Sequence, residues 1–348
     1  MTNKVLFTLL LFFLLAIACN NPAQEAPIPY QVDKGETMGT YYVVQYQHAE
    51  NLKLKIDSLL VDFNNELSTY IPTSLISQTN GLVDSICFDV SKTKYFLPSL
   101  MGAQKIWKET DGAFDPTIMP LVNYWGFGYT ERKKVTVVDQ DSIQKMLQLV
   151  GLEKVTWNSA AQKFCIRKAI PEMKLDLSAS AKGHGVDVIA DYLRGLGISN
   201  FLVEIGGEVH TSGTSAKGKS WVIGINVPDE NSSVTDVALP VQLNNEAMAT
   251  SGNYRNNYKN GQFVVAHIID PKTGLSRPTD ILSASIIASD CLTADAIATA
   301  TMVMGKDAAL SFFEKNKQYD YCLLLPSQDS TKFEVQMSAG FKNRTEIK

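Results

Sequence analysis

The sequence has little that would draw it to nucleic acid. Its 32 basic residues stand against 36 acidic ones, a formal charge of -4, so no strong field pulls the chain toward phosphate backbones or an anionic membrane surface. Histidine is scarce: His48, His184, His210 and His267 are the whole supply, and they do not cluster into a zinc pattern. Past the first cysteine, Cys87, Cys165, Cys291 and Cys322 lie far apart in apolar stretches, with no metal or redox spacing. Buried free thiols are the expectation for these four, a disulfide being the alternative in an oxidising compartment. No Gly-x-Gly-x-x-Gly joins a strand to a helix, which disfavours a Rossmann site, and there is no low-complexity tract or short repeat.

What is present is apolar residues in quantity, 45% of 348 with 20% charged, enough to bury a large core in one large or two intimate domains. At the N-terminus Lys4 supplies positive charge, and the apolar run Val5 to Ile17 is too short to span a bilayer, which reads as an export signal. The run ends in Ala16-Ile17-Ala18-Cys19, which resembles a bacterial lipobox, with Cys19 as the residue that takes the lipid. Residues 20–30, rich in Pro, Ala and Asn, read as a tether, and residues 31–348 as a single folded domain.

Periodicity predicts a helix over Glu50 to Ser68, where Leu52, Ile56, Leu59, Leu60, Phe63 and Leu67 share a face. Others are expected within Tyr95 to Glu109, over Asp139 to Val150 with Gly151 as its stop, from about Ala181, and over Leu292 to Met304. Strands are expected at Tyr41 to Tyr46, Lys154 to Trp157, Phe201 to Ile205, Trp221 to Val227, Phe263 to Ile268 and Ile281 to Ala288. Strands mixed with helices, without regular βαβ alternation, predict an α+β fold.

Four segments carry chemistry. Asp295 and Thr299, four apart on a predicted helix, place two oxygen ligands on one face, which suits Mg²⁺; the bland alternative is a capping Asp and a Thr bonded to its own backbone. In Leu175 to Asp187, small residues precede a helix whose free N–H groups can face anionic oxygens, with Lys182 as a point charge; the alternative is a simple turn. Phe201 to Val209 is a buried strand ending in Gly206-Gly207, which permit close backbone contact. His267 opens His-Ile-Ile-Asp-Pro-Lys-Thr-Gly at a strand edge, where it can take a proton from a hydroxyl or be merely bonded in place.

Taken in order and spacing, these segments resemble the ApbE family of FAD:protein FMN transferases. The resemblance also draws on Met38-Gly39-Thr40-Tyr41-Tyr42, Asp111-Gly112-Ala113-Phe114-Asp115-Pro116-Thr117, Trp125-Gly126-Phe127-Gly128 and Ala249-Thr250-Ser251-Gly252-Asn253-Tyr254, and spans roughly residues 36 to 306. It implies a T-fold-like α+β architecture of mixed and antiparallel sheets packed with helices. It implies FAD as flavin donor, Mg²⁺ at the pyrophosphate, and a Thr or Ser of another exported protein as acceptor, such as a subunit of an ion-pumping redox complex.

By the same resemblance the metal is held by Asp295, Thr299 and the backbone carbonyl of Ala179. FAD is contacted by Met38, Tyr70, Ala113, Phe114, Asp115, Asp176, Lys182 and Ile269, and His267 is the candidate base. The chain departs from its relatives at Ala298, where some carry a second acid, at Asn256, where many carry Arg, and at Pro278, which falls later than usual after Gly274. The implied setting is the bacterial cell envelope, lipid-anchored and facing the periplasm or exterior, with no nucleic-acid partner. The competing readings are a Mg²⁺-dependent FAD pyrophosphatase and a flavin-binding lipoprotein without turnover.

Overall fold

A computed structural model describes residues 28–346 except 82, 131–134, 230–235, 254–256, 261–262, 277–278 and 330–332. The expected signal, Cys19 and most of the tether lie outside the described residues, as do Asn256 and Pro278. Tyr30, the last residue of the expected tether, is the first residue of a strand, where the chain enters a sheet.

The strands are β1 (Tyr30–Thr37), β2 (Thr40–Gln47), β3 (Ser85–Asp89), β4 (Val155–Ala160), β5 (Lys163–Lys168), β6 (Phe201–Ile205), β7 (Glu208–Ser212) and β8 (Trp221–Asn226). They continue with β9 (Val237–Leu243), β10 (Ala247–Gly252), β11 (Asn257–Asn260), β12 (Phe263–Ala266), β13 (Ser283–Ala288), β14 (Asp320–Pro326) and β15 (Phe333–Met337). The helices are α1 (Lys53–Leu67), α2 (Leu75–Thr79), α3 (Phe96–Glu109), α4 (Met119–Tyr124), α5 (Gln140–Leu147), α6 (Ser178–Gly195), α7 (Cys291–Met304), α8 (Lys306–Lys315) and α9 (Ala339–Thr345).

The spine is an eight-stranded sheet in the order β1-β2-β6-β7-β10-β13-β14-β15, antiparallel at every pairing. Alternation of side chains gives each strand two faces. Phe201, Val203 and Ile205 of β6 pack with Val186, Ile189 and Leu193 of α6 on one face. Leu202 and Val209 meet Trp221 of the β8–β9 ribbon on the other, and Ile225, Val241 and Leu243 of that ribbon cover Met248, Ile287 and Leu324. The central strands β6 and β13 are therefore covered on both faces, whereas β1 and β2 nearer the edge alternate buried and more exposed side chains. This is the α+β architecture of antiparallel sheets packed with helices that the sequence predicts.

The first helix buries Ile56, Leu59, Leu60, Phe63 and Leu67 as its periodicity demands, while Leu52 is its N-cap. In contrast, α7 is buried almost all round: Ala294, Ile297 and Ala298 are as covered as Leu292, Ala296 and Ala300. It is a core helix pressed between the sheet and α6.

A second sheet, ordered β3-β5-β4, stands beside α3. Here the expectation of free thiols is corrected for one pair. Cys87 and Cys165 face each other in the β3–β5 register and form a disulfide, since cross-strand neighbours bring their Cβ atoms within bonding reach. Cys291 and Cys322 are buried free thiols.

Candidate functional site

A cleft of about 1330 Å³ opens where the β6–β7 turn meets the first turns of α6 and α7. Gly206 and Gly207 make that turn with φ of +60° and +103°, a left-handed conformation that side chains resist. The start of α6 is fixed by Asp176, whose Oδ1 accepts from Ser178 N–H at 2.9 Å. The start of α7 is fixed twice. Asp290 accepts from Thr293 N–H at 2.8 Å, and Asp187 of α6 accepts from Cys291 N–H at 2.9 Å and Leu292 N–H at 2.8 Å. These bonds satisfy donors that every helix N-terminus leaves open.

One turn into α7, Asp295 and Thr299 both line the cleft. Gly183 N–H donates to Asp295 Oδ2 at 3.0 Å, and Thr299 Oγ1 lies 3.3 Å from Ser251 Oγ. Lys182 extends between two carboxylates, 2.7 Å from Glu208 Oε1 and 3.7 Å from Asp295 Oδ1. Glu208 Oε2 is buried without a hydrogen-bond partner.

Burial raises the Asp295 carboxyl above its ordinary range against the opposing pull of Lys182. Burial likewise pushes Glu208 up to about 7, again opposed by Lys182. For Lys182 burial acts downward, but the Asp295 and Glu208 charges outweigh it and the ammonium is held. The pocket thus sets two buried carboxyl groups against one lysine.

Among the described residues no three His, Cys, Asp or Glu side chains gather as a metal cluster. The donor set here is of another kind: oxygen atoms only, one of them an orphaned buried carboxylate oxygen. That chemistry fits a hard cation such as Mg²⁺, which takes one or two carboxylates and fills its octahedron with water and phosphate.

Tyr70, Ala113, Phe114, Asp115, Asp176, Ala179, His267 and Ile269 also border the cleft. Tyr70 is largely exposed and Phe114 is buried. Asp115 shapes the wall from within, accepting from Thr117 N–H at 2.8 Å, Thr117 Oγ1 at 2.6 Å and Trp107 Nε1 at 3.1 Å. His267 follows β12, where Ala266 bonds Ser276 Oγ through both its N–H and its carbonyl. The next turn is pinned by the Trp125 indole, which donates to Gly274 O at 2.8 Å. The His267 ring stands edge-on to Phe127 at 6.3 Å.

Met38 is the exception among the predicted residues. It sits in the β1–β2 turn with φ +52°, and its side chain packs on Gly185 of α6, where an added Cβ would stand 2.6 Å from Met38 Cε. It supports the wall rather than lining it. Conversely, Glu208 and Ser251 join the site although the sequence reading passed over their side chains. The signal for Glu208 was its place directly after the glycine pair, two residues read there only for their backbone freedom.

The ApbE family profile matches residues 38–323. A protein of Vibrio cholerae serotype O1 named FAD:protein FMN transferase is 35% identical over 336 residues, covering 94% of this chain and 95% of its own. A Haemophilus influenzae protein of the same name is 34% identical, covering 90% and 91%. Among solved structures, the flavin transferase ApbE from Vibrio cholerae superposes with a TM-score of 0.78 at 33% identity, over 91% of this chain and 100% of that one. The apo flavinyl transferase ApbE of Pseudomonas stutzeri gives 0.80 at 26% identity, over 93% and 99%. With a profile that spans most of its length and relatives that align nearly end to end, the chain belongs to the ApbE family.

Proposed function

We propose that this chain is a FAD:protein FMN transferase that uses Mg²⁺ to move the FMN half of FAD onto a Thr or Ser hydroxyl of an exported protein. The observation that carries the reading is the convergence of Asp295, Thr299, Lys182 and Glu208 at one end of a cleft that also has His267 and Phe114 in its walls. The cleft exceeds the roughly 300–1,000 Å³ of an ordinary small-molecule pocket, leaving room for a dinucleotide and the tip of an acceptor.

In the reaction the acceptor oxygen bonds to the FMN-side phosphorus, the pyrophosphate P–O bond breaks, and AMP leaves with that electron pair. The hydroxyl proton passes to an imidazole nitrogen of His267, which general-base catalysis requires within hydrogen-bond reach. Lys182 offers a positive charge to the phosphate oxygens, and the N-terminal end of α6 adds the helix dipole. Asp295, Thr299 and the Ala179 carbonyl would hold Mg²⁺, which supplies charge neutralisation at the pyrophosphate.

The Cys87–Cys165 disulfide supports an extracytoplasmic setting, since such bonds persist in oxidising compartments, and agrees with a lipid anchor at Cys19. The test is incubation of the full chain with FAD, MgCl₂ and a candidate exported protein, followed by mass spectrometry. FMN in phosphodiester linkage to a Thr or Ser is expected, absent when that hydroxyl is removed. Free FMN and AMP without adduct would replace the reading with a pyrophosphatase, and unchanged FAD with a binding protein.

A further inference from the structure

Both side chains that would hold the metal hang from α7, so whatever fixes the start of α7 fixes their distance from Lys182. Asp187 does this from α6 by accepting the first two N–H groups of α7. Its Oδ1 also meets His210 Nδ1 at 2.7 Å. His210 is 3% exposed, lies on the same face of β7 as Glu208, and takes no part in the mechanism above. Its other nitrogen, Nε2, is 2.6 Å from Arg194 Nη2.

A guanidinium can only donate. His210 Nε2 therefore accepts, the ring hydrogen is on Nδ1, and Nδ1–H donates to Asp187. Arg194 in this way selects the tautomer that orients the capping carboxylate, and it is itself anchored by donating to Asp191 Oδ1 at 2.9 Å.

We propose that Arg194, His210 and Asp187 form a positioning relay that locks the α7 N-terminus onto α6 and so sets the geometry of the Asp295–Thr299 cation site. The proposal rests on the functional reading above. Gly183 shows how little slack the junction has: an added Cβ there would stand 2.2 Å from Cys291 O and 2.9 Å from Asp295 Cβ. Partners that orient metal ligands from behind are worth about 10- to 100-fold in metal affinity.

The experiment titrates Mn²⁺ into the full chain by electron paramagnetic resonance, with and without FAD, alongside a thermal melt. His210→Leu should weaken Mn²⁺ binding about 10- to 100-fold. His210→Asn, whose amide N–H replaces Nδ1–H, should recover most of that loss, a rescue that packing alone would not give. Should His210→Leu fail to fold, Arg194→Met carries the test: it frees the tautomer, and weaker Mn²⁺ binding is expected. Wild-type Mn²⁺ affinity in folded His210→Leu or in Arg194→Met, or equal losses in the Leu and Asn variants, overturns the relay alone. A wild-type chain that binds no Mn²⁺ overturns both the relay and the metal reading beneath it.

Discussion

Replacing Gly183 by alanine should uncouple catalysis from folding more cleanly than any change to a ligand. The ideal Cβ would lie 2.2 Å from Cys291 O and 2.6 Å from Cys291 C, against ordinary contact from 3.4 Å outward. Both atoms are backbone, so no side chain can swing aside, and α6 and α7 must part by roughly an ångström at their N-terminal ends. Overpacking of this kind costs about 1–3 kcal/mol, and the better helix propensity of alanine returns at most about 1 kcal/mol. The protein therefore stays folded. The separation, however, pulls the Gly183 N–H away from Asp295 Oδ2 and opens the gap between Asp295 and Lys182, and a misplacement of that size costs on the order of 100-fold in rate. The assay is the initial rate of FMN transfer at saturating FAD over a Mg²⁺ series, with a melt to confirm folding. A folded Gly183→Ala protein with wild-type rate and Mg²⁺ dependence would refute the claim that the α6–α7 spacing sets the site.

Other consequences can be checked directly. Asp295→Asn should lose transfer at Mg²⁺ concentrations that saturate the wild type while keeping its melting profile, measured by flavin fluorescence on the separated target. His267→Ala should lower the rate by about 100- to 10,000-fold if it is the general base; an unchanged rate removes it from the mechanism. Breaking Cys87–Cys165, which closes a span of 78 residues, should cost about 4.5 kcal/mol by loop entropy, readable as a lower denaturant midpoint in Cys87→Ser/Cys165→Ser. Burial holds His184 below its ordinary 6.5, so the unfolded chain takes up a proton before the folded one does. The stability from this group is present above pH 6.5 and is lost as pH falls through the folded value. His184→Gln should flatten the fall in melting temperature on acidification below 6.5.

The local elements were legible where periodicity is strong. Ile143 is buried in α5, with Asp139 accepting at its N-cap and Gly151 at φ +129° beyond its end, as the amphipathic pattern and the glycine stop indicated. The strand Phe201–Ile205 matched to the residue. In contrast, β1 is not among the predicted strands, because Asp33, Lys34 and Glu36 look like solvent-facing chain and their pairing with β2 leaves no local signature. The β3–β5 pair was hidden for the same reason, and with it the disulfide. For α7, an all-round buried helix has no polar face to mark its orientation, so the sequence indicated Asp295 and Thr299 but not the carboxylate of Glu208 across from them. That residue comes from a strand whose neighbour in space is α6, a relation no spacing encodes.

The Lys182 end of the cleft joins groups 112 positions apart, Gly183 and Asp295, and the strand beside it is tied by Tyr41 to Glu204 over 163. Such distant closures make folding slow, and the site is complete only when residues 291–304 are in place. A nascent polypeptide cut short before that point has Lys182 and Glu208 but lacks Asp295 and Thr299. Activity in this protein is therefore a certificate of completed folding, and a truncated or half-threaded copy is chemically silent toward the flavin donor.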